Sequence, residues 1–365
     1  MRGTELDRAC AGVFCVGFHG KSPSLDVLEL IRRGVYGVIL FGRNVETAEQ
    51  VAELSAALKR AAGRPLMVTV DQEGGRVARL KAPLGFTEVP TMRAIGQTGS
   101  PRLAREVGAL LGRELRAVGI DQDYAPVVDV DSNPANPVIG DRSFGRDPEM
   151  VGRFGAALAQ GLQSESVAAC AKHFPGHGDT SQDSHRQLPR LPHAIARLEA
   201  VELAPFRALS AAGVASVMTA HVVFEALDPA RPATLSPDVM RLLRERCGFE
   251  GPAISDDLEM KAVSEHFSLE QAVPDTILAG VDGFLVCHTA ERQHRAIDLL
   301  RKAVEDGRVR QERLAEATRR ILQLRRFAGG PPEVGQVADR LRAAKRLDLA
   351  ARLPRVDPGR DPTAA

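Results

Sequence analysis

Runs of consecutive apolar residues rich in valine and isoleucine recur at 12–18, 36–42, 66–71, 119–130, 167–173, 215–221, 252–256 and 282–288. Each is followed by a polar loop and then by a segment whose apolar residues repeat at helical spacing. Thr47 and Gln50 resemble a capping box ahead of Val51, Leu54 and Leu58, which share one helix face. Ser100-Pro101, Asp147-Pro148 and Ser236-Pro237 each set a capping side chain before a proline at the first helical position. Continuous rather than alternating apolar runs describe strands buried on both faces, and strands joined by helix-length crossovers pair in parallel. Eight such units predict an α/β chain folded as a (β/α)8 barrel. The alternative is a doubly wound open sheet, which ordinarily carries a glycine-rich phosphate turn after its first strand. Gly17-Phe18-His19-Gly20 matches that turn poorly.

The last barrel helix is expected over 314–327, after which Gly329-Gly330-Pro331-Pro332 breaks the chain. This divides the sequence into a barrel over residues 1–328 and an extension over 329–365. The extension should be an amphipathic helical segment at about 334–353, then a disordered tail poor in apolar residues. A length of 365 residues with 44% hydrophobic content supports one large core rather than several. With 48 basic against 47 acidic residues, no general field draws the chain to nucleic acid or to an anionic membrane. Five cysteines, an odd number with no CxxC pair, read as buried reduced thiols. The amino terminus has neither a signal-peptide pattern nor a spanning stretch, so the cytoplasm is the expected compartment.

In a barrel of this kind, function collects at the C-terminal ends of the strands. The polar residues do cluster there. The third apolar run leads into Asp71-Gln72-Glu73-Gly74-Gly75-Arg76-Val77-Ala78-Arg79, the fourth is followed by Gly140-Asp141-Arg142-Ser143-Phe144, and the sixth ends at His221. The seventh ends in Ser255-Asp256-Asp257-Leu258-Glu259-Met260. The densest burst follows the fifth run, where Lys172 to His185 brings together three histidines, two aspartates and a lysine. Asp256 is placed to point into the barrel mouth, with Asp257 left to cap a helix starting near Leu258. Asp183, two residues before His185, would fix the imidazole tautomer and raise its basicity, giving an acid/base that works near neutral pH. Lys172 and His173 read as donors to substrate hydroxyls. The small polar residues and glycines of 174–185 predict a mobile loop. A metal site built from His173, His177, Asp179, Asp183 and His185 is the competing reading. Its spacing does not match a helical HExxH arrangement, and Phe174-Pro175-Gly176 turns His173 and His177 apart.

At Lys172-His173-Phe174-Pro175-Gly176-His177-Gly178, followed by Asp183-Ser184-His185, the chain resembles glycoside hydrolase family 3. The likeness is to the single-domain bacterial β-N-acetylhexosaminidases that remove terminal N-acetylglucosamine in peptidoglycan recycling. It covers about residues 10–327 and extends to Asp71-Gln72-Glu73-Gly74-Gly75-Arg76, Asp141-Arg142-Ser143-Phe144 and Ser255-Asp256-Asp257-Leu258-Glu259-Met260. The resemblance implies a retaining exo-glycosidase with no cofactor, acting on a carbohydrate substrate. In it, Asp256 is the nucleophile and His185, paired with Asp183, is the acid/base. Asp71, Arg79, Arg142, Lys172 and His173 would hold the sugar hydroxyls. A histidine acid is neutral after donating its proton and does not repel an incoming anion, so a phosphorylase using the same residues stays open. Two other readings also stay open. One is a substrate-assisted hexosaminidase, which the adjacent Asp256 and Asp257 superficially fit; the other is a non-catalytic sugar-binding barrel.

Overall fold

The computed structural model describes residues 3–184, 187–345 and 347–354. Its centre is a closed barrel of eight strands, each paired in parallel with both neighbours. In chain order the strands are β1 Phe14–Val16, β2 Gly37–Leu40, β3 Met67–Val70, β4 Gln122–Asp123, β5 Ala168–Phe174, β6 Ser216–Thr219, β7 Ala253–Asp257 and β8 Gly283–Val286. All eight fall inside the apolar runs or within a residue of their ends, and the open-sheet alternative is excluded by the pairing of β1 with both β2 and β8.

Helices cover the outside of the barrel: α1 Leu25–Arg33, α2 Ala48–Ala62, α3 Pro101–Ala117, α4 Pro148–Ser164, α5 Leu203–Ala211, α6 Pro237–Glu245, α7 Leu269–Ala279 and α8 Ala290–Glu305. The expected caps form. Ser100 Oγ accepts from Leu103 N, Asp147 Oδ1 accepts from Glu149 N, and Ser236 Oγ accepts from Val239 N. Thr47 Oγ1 accepts from Gln50 N, but the Gln50 side chain returns to Glu46 N rather than completing the box. One boundary differs from expectation: the helix that follows β8 is α8, and α9 Gln311–Leu324 is added after it, with a short 3-10 turn at Arg325–Phe327.

Beyond the Gly329-Gly330 break, α10 Val337–Ala344 packs on α3 and α2, burying Val337, Leu341 and Ala344 in the same continuous core as the barrel. A buried carboxylate ties this extension down. Asp121 Oδ1 accepts from Lys59 Nζ at 2.8 Å, Arg116 Nη1 at 2.6 Å and Gly329 N at 2.8 Å, while its Oδ2 accepts from Val68 N. Asp121 and Val68 lie at the N-terminal ends of β4 and β3, so the extension is fastened to the end of the barrel opposite the strand C-termini. The expected disordered tail, from residue 355 onward, lies outside the described residues. All five cysteines are free and buried. Among the described residues, no helix is long and apolar enough to cross a membrane.

Candidate active site

At the C-terminal ends of the strands a pocket of about 730 Å³, open to solvent, is lined by Asp71, Arg79, Arg142, Lys172, His173 and Asp256 among others. Six of the eight residues picked out from the sequence therefore meet in one place. Asp183 is described but is not among the lining residues, and His185 lies outside the described residues.

Two strands depart from regular pairing as they reach this pocket. A regular strand sends successive side chains to opposite faces, so neighbouring residues cannot both face the barrel mouth. Yet Lys172 and His173 both line the pocket, and so do Asp256 and Asp257. The register of β5 against β6 shifts between Ala171 and Phe174, and that of β7 against β8 shifts between Ile254 and Asp257. Such irregularities re-aim side chains where a regular ladder could not.

One wall is an ionic cluster. Lys172 Nζ lies 2.7 Å from Asp71 Oδ1 and 2.6 Å from Glu73 Oε1. Arg142 grips Glu73 through two parallel bonds, Nε to Oε2 and Nη2 to Oε1, both 2.8 Å. Arg79 Nη2 stands 3.7 Å from Asp71 Oδ2. Burial alone would push the Glu73 carboxyl up, but the adjoining Arg142 and Lys172 outweigh it and hold it well below the usual carboxylate range. The same carboxylates offset burial at Lys172 and keep its ammonium charged. Glu73 is 2% exposed, whereas Asp71 keeps 18% of its side chain open, so Asp71 is the carboxylate that a ligand can reach.

The second wall starts from Asp129, which is fully buried. Its Oδ2 accepts from His173 Nδ1 at 2.7 Å, and its Oδ1 accepts from His177 N at 2.6 Å and His173 N at 3.3 Å. Burial opposes ionisation of Asp129, but the two histidines prevail and its carboxyl is held low. With Nδ1 committed, His173 has Nε2 left for the pocket. In the loop that follows, His177, Thr180 and Ser184 are buried. Asn136 Nδ2 donates to His177 O and Gly178 O, and a Cβ on Gly178 would stand 1.7 Å from Val130 O, so only glycine lets the loop lie this close. His173, His177 and Asp179 have separate partners (Asp129, the pair Thr180 and Ser184, and His193), which does not make a converging ligand set.

On the third wall, Asp257 does not cap a helix at Leu258, because the next helix begins only at Lys261. Instead it faces the pocket. Its Oδ1 accepts from Glu259 N at 3.1 Å and Cys287 N at 3.2 Å, and its Oδ2 lies 3.1 Å from His288 Nε2. The bond to Asp257 raises the basicity of His288. Asp256 is partly exposed at the strand end, and its Oδ1 accepts from Asp257 N at 2.8 Å. His221 does not reach the pocket; its ring holds Asp257 O at 3.0 Å through Nε2 and Thr234 Oγ1 at 2.8 Å through Nδ1. Glu73, Asp129 and His288 complete the site without having been singled out as site residues from the sequence.

Residues 20–324 match the family described as Glycosyl hydrolase family 3 N terminal domain. A protein named Beta-hexosaminidase from Nitrosomonas eutropha is 35% identical over 325 residues, spanning 86% of this chain and 92% of that one. Another of that name from Bordetella parapertussis is 38% identical over 320 residues, spanning 86% and 88%. A solved family 3 β-N-acetylglucosaminidase from Paenibacillus sp. superposes with a TM-score of 0.86 at 41% identity, over 93% of this chain and 68% of its own. A β-N-acetylhexosaminidase from Beutenbergia cavernae gives 0.82 at 29% identity, over 88% and 98%. The chain therefore belongs to glycosyl hydrolase family 3.

Proposed function

We propose that this chain is an exo-acting, retaining β-N-acetylglucosaminidase that removes terminal non-reducing N-acetylglucosamine, from muropeptides in cytoplasmic cell-wall recycling. The observation that carries this reading is the meeting in one pocket of a partly exposed carboxylate, Asp256, with the cluster of Asp71, Arg79, Arg142, Lys172 and His173. Asp256 attacks the anomeric carbon while the acid protonates the leaving oxygen, forming a covalent glycosyl ester. Water activated by the same group then resolves the ester from the same face, which retains configuration. His185, oriented by Asp183, is the acid/base in this scheme. Asp71 accepts from sugar hydroxyls, and Arg79, Arg142, Lys172 and the free Nε2 of His173 fix their positions, the directional recognition that an apolar pocket lacks. The family resemblance and the names of the relatives support the N-acetylhexosamine as substrate. The recycling role, and the compartment that goes with it, rest on the resemblance of the Lys172–His185 motif.

The substrate-assisted alternative needs a free second carboxylate to steer the acetamido group. Asp257 is occupied by His288, Cys287 N and Glu259 N, which favours the covalent route. Mass spectrometry after a slow 5-fluoro glycoside of N-acetylglucosamine decides between them. A sugar ester on Asp256 is expected; no adduct, together with strong inhibition by a thiazoline analogue, would overturn the covalent scheme. Asp256→Ala should lower turnover of nitrophenyl N-acetyl-β-glucosaminide by roughly four orders of magnitude. Preference for the plain glucoside would sink the substrate, and release of sugar phosphate in phosphate buffer would make the enzyme a phosphorylase.

A further inference from the structure

Asp256 and Asp257 are consecutive at the end of β7 and both line the pocket, although only Asp256 has a chemical task in the scheme above. The two are coupled through the backbone. Asp257 N donates to Asp256 Oδ1 at 2.8 Å, so the peptide that carries one carboxylate orients the other. Asp257 is itself fixed from several directions: its carbonyl accepts from His221 Nε2 at 3.0 Å, its Oδ1 accepts from Glu259 N and Cys287 N, and its Oδ2 lies 3.1 Å from His288 Nε2. His288 follows β8 and is held in turn. Its backbone N donates to Glu259 Oε2 at 2.6 Å, and its ring tilts against Phe41 with centroids 5.5 Å apart. Its Nδ1 stands 3.4 Å from Nη1 of Arg43, which donates through Nη2 to Cys287 O and through Nε to Phe18 O. A guanidinium has only donors to offer, so Nδ1 accepts from Arg43 and the proton on Nε2 goes to Asp257.

We propose that His288 is a positioning residue for the nucleophile, acting through Asp257: it keeps the Asp257 carboxylate turned toward the end of β8 and so holds the Asp257 N–H against Asp256. This rests on the assignment of Asp256 made above. Burial does not require the contact. The His288 side chain is 33% exposed and can meet water, and the Asp257 carboxylate already accepts two backbone N–H groups. What the contact decides is which of two adjacent carboxylates faces the anomeric carbon. Without the imidazole, Asp257 Oδ2 is an anion beside a second anion, and the like charges turn apart. That movement takes the shared peptide with it and draws Asp256 off the line of attack. A misplaced nucleophile loses rate, while sugar binding, carried by the other two walls, is kept.

The test reads the nucleophile alone, on the full chain. A 5-fluoro β-glycosyl fluoride of N-acetylglucosamine labels the protein when the Asp256 carboxylate attacks C1: the new C–O bond forms as fluoride leaves with the C–F electron pair, with little help from an acid. His288→Ala is expected to lower the first-order labelling rate constant by roughly ten- to a hundredfold, with the half-saturating concentration of the reagent changed by less than about threefold. His288→Leu, which fills the space without a donor, should behave like His288→Ala. His288→Gln, whose amide can donate to Asp257, should recover most of the rate. Wild-type rates in both His288→Ala and His288→Leu, a loss confined to reagent affinity, or a His288→Gln protein as slow as His288→Ala would each overturn the positioning role and leave Asp256 as the nucleophile. A wild-type protein that gains no sugar ester on Asp256 would instead remove the nucleophile assignment, and this proposal with it.

Discussion

Glu73 shows what a single buried charge does in this site. It touches no open part of the pocket, yet it receives Arg142 through two bonds and Lys172 through a third. Removing one partner of a buried ion pair leaves the others desolvated and unpaired, which costs about 3 kcal/mol or more. Glu73→Gln should therefore lower unfolding stability by about that amount in a urea titration. It should also raise KM several-fold while kcat falls less, because Lys172 and Arg142 lose the anchor that aims them at the sugar. Unchanged KM and stability would mean that Asp71 alone holds the cluster. Glu73 was present in the motif after β3, but nothing nearby in the chain marked it out, since its bidentate partner is 69 residues away. Asp129 was equally hidden at the end of an apolar run, with His173 lying 44 residues on. Asp71, Lys172 and Asp256 were legible because strand ends in a barrel are where pocket side chains must come from.

At the level of elements, the strands could be read because burial on both faces demands unbroken apolar runs. The shifts in β5 and β7 could not, because a one-residue change of register depends on the pairing partner and leaves no mark in composition. The packing of the loop after β5 was illegible for a related reason. Among its described residues, glycines and small polar side chains serve close packing, with Gly178 against Val130 and His177 buried between Thr180 and Ser184. That burial makes the element sensitive to acid. The folded His177 pKa of about 4 lies below its ordinary 6.5, so between these values the unfolded chain binds more protons. Stability contributed by this group is present above pH 6.5 and is lost as pH falls toward 4, by on the order of 3 kcal/mol. The melting temperature of the wild-type protein should fall more steeply across that window than that of His177→Asn, whatever their difference at neutral pH. Parallel curves would place the imidazole in water rather than in the fold.

For the whole molecule, counting eight strand-and-helix units was enough to predict closure, because a parallel sheet of that size with helices on its outer face has a barrel as its compact solution. The role of the extension was not legible, since an amphipathic segment names a face to be buried without naming what buries it. The structure supplies the partner: α2 and α3 take Val337, Leu341 and Ala344, and the Asp121 cluster locks Gly329 beside them. Losing the burial of these apolar side chains removes about 5 kcal/mol, while a chain that ends at Gly330 keeps the bonds of Gly329 to Asp121 and Lys59. Because this anchor sits at the N-terminal end of the strands, the loss should reach stability and not chemistry. A chain ending at Gly330 is expected to unfold at markedly lower urea concentration, yet below its own transition to cleave nitrophenyl N-acetyl-β-glucosaminide with kcat and KM close to those of the full chain. Lost activity at unchanged stability would instead mean that the extension acts on the pocket, against the separation of the two ends of the barrel seen here.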